Sequence, residues 1–296
     1  MDRNIMKIFH SLMEDNVNTD DINKVINFLK NKPILTQSKK VSEFEYKWSK
    51  WLGVKYSVFV NSGSSANFLS LLAFKLLYAE KGEIIVPTLT WVSDIVSVIN
   101  NGFKPKFVDI NLKTLSMNEN EIYKAINKNT KAVFITHAQG FNGLTTKLIK
   151  FLKKKKIFLI EDVCESHGAK FGKKKLGTFG LISNFSFYYA HHLSTIEGGM
   201  ICTNNKVIYE TIRMLRSHGM VREVEDKKIE KRLQKKHKDL SPNFIFKYPG
   251  FNMRNDEISA VIGINQLKRL NKQNNLRTKN FKFFLKNINS KVYLTN

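Results

Sequence analysis

Short apolar runs alternate with segments whose apolar residues recur at helical spacing along most of the chain. Phe44, Trp48 and Trp51 stand at i, i+4 and i+7, which predicts a helix over 41–52, behind an earlier one over 20–31. The run 56–60 predicts a strand, and the turn Asn61-Ser62-Gly63-Ser64-Ser65 leads from it into a strongly apolar helix over 66–79. Further strands are predicted over 83–87, 106–110, 132–136, 157–163, 184–188 and 200–203. Helices over 93–100, 119–127, 145–155 and 207–217 fall between them, and one long helix is expected from beyond residue 255 to about 287. Strand–helix alternation at this spacing implies an α/β fold: a mostly parallel sheet flanked by helices on both faces. The charge run 223–239 reads as an exposed, mobile insertion. Residues 292–294 read as the start of a strand whose partners the sequence does not contain.

Composition narrows the function. A chain of 296 residues with 42% hydrophobic side chains can bury a sizeable core, which excludes a disordered chain. Lys and Arg number 49 against 25 acidic residues, for a formal charge of +24. Only eight of the 49 are Arg, and none falls between Arg3 and Arg213. Arg makes the bidentate contacts to bases and phosphates, so this Lys-rich balance describes a solvated surface rather than a nucleic-acid partner. Cys164 and Cys202 are too few for a disulfide scaffold or a four-thiolate metal site. Residues 1–10 carry Asp2, Arg3 and Lys7 and no signal-peptide core, and no window approaches the roughly 20 apolar residues of a membrane span. A cytoplasmic chain with no membrane partner is expected.

Two places carry chemistry on their own. The turn 62–65 lies between a strand and a helix, where free backbone N–H groups and the helix dipole favour a phosphate; a plain helix cap is the other reading. Asp162 ends an apolar strand, where ligands of open α/β sheets bind. A carboxylate there can pair with a pyridinium nitrogen, or simply cap a helix.

Several segments together resemble one family, the DegT/DnrJ/StrS sugar aminotransferase group of fold-type I pyridoxal-phosphate enzymes. They are Asn61-Ser62-Gly63-Ser64-Ser65-Ala66-Asn67, Val86-Pro87-Thr88-Leu89-Thr90-Trp91, Glu161-Asp162-Val163-Cys164-Glu165-Ser166-His167-Gly168, Phe185-Ser186-Phe187, Glu197-Gly198-Gly199 and Gly250-Phe251-Asn252-Met253-Arg254. The resemblance spans roughly residues 33–279 and implies three parts. These are an N-terminal helical segment over 1–32, a cofactor-binding large domain over 33–287, and the start of a C-terminal small domain, otherwise largely absent, over 288–296. It implies that Asp162 binds the ring nitrogen, Glu165 the ring hydroxyl, and that Trp91 stacks on the ring. Gly63, Ser64 and Ser186 would hold the phosphate. Asn252 would reach the phosphate of the partner subunit, making a homodimer with shared sites. His218, Arg222 and Arg254 are candidates for a nucleotide diphosphate, with ordinary surface charge the alternative for the two arginines.

The departure is Tyr189-Ala190-His191-His192-Leu193. Aminotransferases of this group carry, at the place of His191, a Lys that bonds covalently to the cofactor and moves protons. Imidazole cannot hold that bond but exchanges protons near neutral pH. With His191 catalytic, the motif looks like the group's 3-dehydratases. The resemblance then implies pyridoxal 5'-phosphate and pyridoxamine 5'-phosphate as cofactor, and glutamate as amino donor. The substrate would be a nucleotide-linked 4-keto-6-deoxyhexose, GDP-4-keto-6-deoxymannose-like, in deoxysugar and lipopolysaccharide biosynthesis. The alternatives are an aminotransferase of the same family and an inactive fragment. A CDP-sugar dehydratase with an iron–sulfur cluster is opposed by the two cysteines. A metal site at His137, His167 and His218 is opposed by the lack of HExxH or paired CxxC.

Overall fold

In the computed structural model, which describes residues 15–288, the apolar runs become one seven-stranded sheet. Its strands are β1 (Tyr56–Val60), β2 (Glu83–Pro87), β3 (Lys104–Val108), β4 (Thr130–Thr136), β5 (Phe158–Asp162), β6 (Ile182–Ser186) and β7 (Gly199–Thr203). Their order is β1-β7-β6-β5-β4-β2-β3. β3, β2, β4, β5 and β6 pair in parallel, whereas β7 runs antiparallel to both β6 and β1. The cause is the connection: residues 187–198 join β6 to β7 without a crossover helix, and only antiparallel neighbours can be joined that way.

The continuous apolar strands are buried on both faces, as parallel strands are. Along β1, Val58 and Val60 enter one core cluster and Phe59 the other; along β4, Ala132 and Phe134 alternate with Val133 and Ile135 in the same way. One face is covered by α3 (Gly63–Leu77), α4 (Val92–Asn100) and α7 (Lys206–Arg216), through Leu69, Phe74, Val98 and Ile212. The other receives α2 (Lys39–Leu52), α5 (Glu119–Ala125), α6 (Thr146–Lys155) and α9 (Glu257–Asn287), through Phe44, Trp48, Ile122, Leu148 and Leu270. Helix α1 (Thr19–Leu29) is anchored on α9, where buried Asp21 takes both Arg269 Nη2 at 2.5 Å and Asn265 Nδ2 at 2.8 Å.

Two buried acids tie the helices to this frame. Helix α2 has no side-chain cap of its own; the Glu257 carboxylate of α9 accepts the N–H groups of Ser38, Lys40 and Val41 at 2.8–2.9 Å. Glu45 meets Arg216 Nη1 at 2.6 Å and accepts the Phe59 N–H at 2.8 Å, joining α2, β1 and α7. Breaking such a buried pair from one side costs about 3–5 kcal/mol.

The charge run expected to be a mobile insertion contains helix α8 (Lys227–Lys236) instead. Asp226 caps it by accepting the Lys228 N–H at 2.9 Å, and Ile229 and Leu233 lie against Val221, Val224 and Ile245. Two apolar residues one turn apart are enough to seat a helix that is otherwise charged. Two ribbons of two-residue strands, Ile110–Asn111 with Ser116–Met117 and Lys170–Phe171 with Lys174–Lys175, were too short to leave a period in the sequence. No helix among the described residues is long and apolar enough to cross a membrane. Residues 1–14 of the N-terminal segment, the expected strand over 292–294 and nearly all of 288–296 lie outside the described residues.

Candidate active site

The parallel strands β2, β4, β5 and β6 end at one side of the sheet, and a cavity of about 500 Å³ opens there. This is where open α/β sheets bind ligands, because the following helices begin there and the loops diverge. Of the residues singled out in the sequence, Gly63, Ser64, Trp91, Asp162, Glu165, Ser186 and His191 line this cavity.

One end of the cavity is the start of α3. Ser62 is extended, and its Oγ accepts the Ser65 N–H at 3.0 Å. The first helical N–H groups, at Gly63 and Ser64, have no partner within the helix. Close approach explains the glycines. A Cβ on Gly63 would stand 2.5 Å from Ser186 Cβ, and one on Gly199 would stand 2.2 Å from the Ser62 carbonyl oxygen. β6, β7 and the Ser62–Ser64 turn are thus pressed together, with the Ser186 hydroxyl beside exposed backbone N–H groups. Such an arrangement suits an anion.

At the end of β5, Asp162 is buried; its Oδ1 accepts the Cys164 N–H at 2.9 Å and its Oδ2 the Asn67 amide at 2.9 Å. The Cys164 thiol beside it is pushed far above its ordinary range by burial and by the Asp162 charge, which keeps it in the protonated form. Trp91 is 69% exposed at the start of α4, so it is no core tryptophan; its indole forms a wall of the cavity. Glu165 Oε2 accepts both the backbone N–H and the side-chain amide of Gln139, at 3.1 and 3.3 Å. Gln139 and Leu115 are non-glycine residues with φ of 53° and 52°, and both line the cavity. Backbone held in this region costs about 1–3 kcal/mol and gathers at functional sites.

His191 sits on the 187–198 connection. That loop is pinned by Phe187 N–H to the Gly198 carbonyl, Thr195 N–H to the Phe187 carbonyl, and Ser194 N–H to Gln266 Oε1 of α9. Asn16 Nδ2 holds the His191 carbonyl at 3.0 Å. Burial lowers the His191 pKa below its ordinary value, with the Asp162 charge opposing. The ring is therefore neutral at neutral pH, the form that accepts a proton. His192 does not line the cavity. Its ring lies 5.3 Å from that of His167, and its pKa is pushed down to about 4 by burial, Arg277 and His191. His167 is wholly buried behind His191, edge-on to Trp48 and Phe187, and is also held neutral by burial. Of the two neighbouring histidines, the geometry brings His191 to the cavity.

Four other singled-out residues do not line this chain's cavity. His218, Arg222 and Asn252 are exposed, and Asn252 and Arg254 bridge to Ser217 and Val60. Conversely, sequence reasoning passed over Thr90, Thr136 and Gln139 on the cavity wall, and Asn67 and Asp94 immediately behind it. The one signal for Asp94 was an acidic residue in a first helical turn, which is too common to mark a site.

The family model described as the DegT/DnrJ/EryC1/StrS aminotransferase family matches residues 15–294. A GDP-4-keto-6-deoxy-D-mannose 3-dehydratase of Escherichia coli O55:H7 is 36% identical over 280 residues, which cover 93% of this chain and 72% of that protein. A crystal structure of GDP-4-keto-6-deoxymannose-3-dehydratase with a trapped PLP-glutamate geminal diamine superposes with a TM-score of 0.78 at 34% identity, covering 88% of this chain and 68% of that one. Helicobacter pylori PseC, an aminotransferase involved in the biosynthesis of pseudoaminic acid, gives 0.77 at 28% identity, covering 88% and 65%. With the motifs gathered at one cavity and the match running over nearly the whole chain, the chain belongs to the DegT/DnrJ/EryC1/StrS aminotransferase family.

Proposed function

We propose that this chain is a pyridoxal-phosphate-dependent 3-dehydratase that removes the C3 oxygen of a GDP-linked 4-keto-6-deoxyhexose. One observation carries the reading: in a family named for aminotransferases, the cavity presents His191 where a lysine would bond the cofactor. The cavity suits the group. The Gly63 and Ser64 N–H groups with the Ser186 hydroxyl would take the phosphate, and Asp162 would take the ring nitrogen. Glu165 would meet the ring hydroxyl and Trp91 would cover the ring. The bound cofactor supplies an electron sink and an amino group that condenses with the sugar's C4 ketone.

The protein's part is proton management. His191, neutral and carried on a pinned loop, would take the proton from the cofactor's C4′ carbon and deliver one to the departing C3 hydroxyl, which would leave as water. The electron pair that replaces the C–O bond comes from glutamate. Glutamate ends as 2-oxoglutarate and ammonia, and one water consumed balances the one released. Asn252 belongs to the partner's site in this reading. It is exposed on its own chain, beside Phe251, itself 42% exposed. Val92 and Ile99 are further exposed apolar side chains available to a homodimer.

The test supplies pyridoxal phosphate, glutamate and GDP-4-keto-6-deoxymannose, and follows the sugar by mass. A dehydratase yields a sugar lacking the C3 oxygen, with 2-oxoglutarate and ammonia in equal amounts. A 4-amino sugar that keeps its C3 oxygen, with no free ammonia, would make the chain an aminotransferase.

A further inference from the structure

Behind the cavity, Asp94 of α4 is 1% exposed and pairs with no cation among the described residues. Its Oδ2 lies 2.5 Å from Thr90 Oγ1 and 2.6 Å from Thr136 Oγ1, and those two hydroxyl oxygens are 2.7 Å from each other. Three oxygens thus form a closed triangle of short contacts. Each hydrogen bond needs one proton, and two threonine hydroxyls bring two. A protonated carboxyl supplies the third. With Asp94 ionised, two of the oxygens would face each other at 2.7 Å without a proton between them.

The other oxygen, Oδ1, accepts Asn67 Nδ2 at 2.6 Å, and the same amide nitrogen donates to Asp162 Oδ2 at 2.9 Å. One amide therefore clamps two carboxyl groups side by side in a buried place. Burial and the neighbouring Asp162 charge both hold the Asp94 carboxyl well above the usual carboxylate range. Two adjacent buried carboxylates cannot both ionise cheaply, and one of them keeps the proton. Burial and the closed triangle favour Asp94, against the pull of threonine hydroxyls donating to Oδ2.

We propose that Asp94 is a positioning residue that stays protonated at neutral pH and, through Asn67, leaves Asp162 as the anion and fixes its aim at the cofactor's ring nitrogen. This rests on the reading that Asp162 receives that nitrogen. Asp94 does not line the cavity; it acts through its neighbours. Asparagine at position 94 keeps the pattern, because its amide donates to the threonines while its oxygen still accepts from Asn67. A leucine keeps the branched shape, is somewhat larger, and removes every hydrogen bond.

Three variants of the full chain decide it, Asp94→Asn, Asp94→Leu and Asp162→Asn, each read in two ways. First, the infrared spectrum of the protein without cofactor at neutral pH should contain a protonated-carboxyl stretch that Asp94→Asn removes and Asp162→Asn leaves. Second, pyridoxal phosphate labelled with nitrogen-15 reports its ring proton by chemical shift and its affinity by titration. Asp94→Asn should keep the ring proton, with Kd within about threefold. Asp94→Leu should raise Kd about tenfold, the scale of one lost buried hydrogen bond, and release the ring proton at lower pH. A missing acid band, a band that survives Asp94→Asn, or an Asn variant as damaged as the Leu variant would overturn the proposal. If Asp94→Leu does not fold, the infrared band and the Asn variant still decide. If Asp162→Asn leaves the ring protonated and Kd unchanged, the cofactor reading fails instead, and the infrared result separates the two failures.

Discussion

Glu161 and Asp162 are neighbours at the end of β5, yet their side chains leave the strand on opposite faces and meet opposite fates. Glu161 is saturated: Oε1 accepts the Phe179 and Gly180 N–H groups, and Oε2 accepts the Gly177 N–H and His137 Nε2 at 3.1 Å. His137 in turn accepts the Gly143 N–H at Nδ1, so its proton is on Nε2 and points at Glu161. Every partner in that group is used, and the whole is buried. Asp162 accepts only the Cys164 N–H and the Asn67 amide as conventional donors, and faces the cavity with acceptor capacity to spare. The same contrast separates His137 from His191. A polar group whose hydrogen bonds are all spent holds structure together; one with bonds still to make does chemistry.

Mutation should divide the two sides of that contrast, and the largest effect belongs to His191. His191→Asn should cut dehydration by about 10²–10⁴ while cofactor affinity stays near wild type, since Asp162, Ser186 and the Ser62–Ser64 turn are untouched. Steady-state kinetics and a cofactor titration check both halves. His192→Asn should be milder; the reverse ranking would place the wrong histidine at the cavity.

Next comes the carboxylate pair. Glu161→Ala strands three backbone N–H groups and His137 in the core and should cost about 3–5 kcal/mol in urea unfolding. Asp162→Asn should cost less than about 2 kcal/mol, because it leaves fewer donors unpaired, but it should weaken the cofactor strongly. Equal destabilisation by the two would erase the distinction drawn between them.

At neutral pH the smallest effect is that of the buried histidines, which shows only as a pH dependence. His192 titrates near 6.5 when unfolded and at about 4 when folded, so the unfolded chain takes up a proton first. Its contribution to stability is complete above pH 6.5 and is lost as pH falls toward 4, an order of 3 kcal/mol across that window. The buried, neutral His167 acts in the same direction. Unfolding free energies measured between pH 7 and 4 should flatten in His192→Asn; an unchanged slope would mean the ring is not held neutral.

The sheet was legible because buried parallel strands leave unbroken apolar runs, and the cavity residues were legible because the turn, the strand end and the His-His pair are each a short contiguous motif. What escaped was assembled at long range. Asp94, Thr136 and Asn67 stand on α4, β4 and α3, and nothing local in any of them announces the others. The antiparallel course of β7 follows from a connection that lacks a helix, which a strand pattern alone does not encode. Helix α8 was hidden because its buried side rests on only Ile229 and Leu233 amid lysines.

The mooring of the 187–198 loop has a practical side. Gln266, which holds the loop at Ser194, also binds Asn16 and Asp21, and Asn16 itself grips the His191 carbonyl. The residues Asn16 and Asp21 are therefore a guy-rope on the His191 loop rather than packaging. Trimming the gene to begin at α2, a common way to improve expression, would keep the sheet and its core while removing the Asn16 and Asp21 contacts that steady the loop carrying His191.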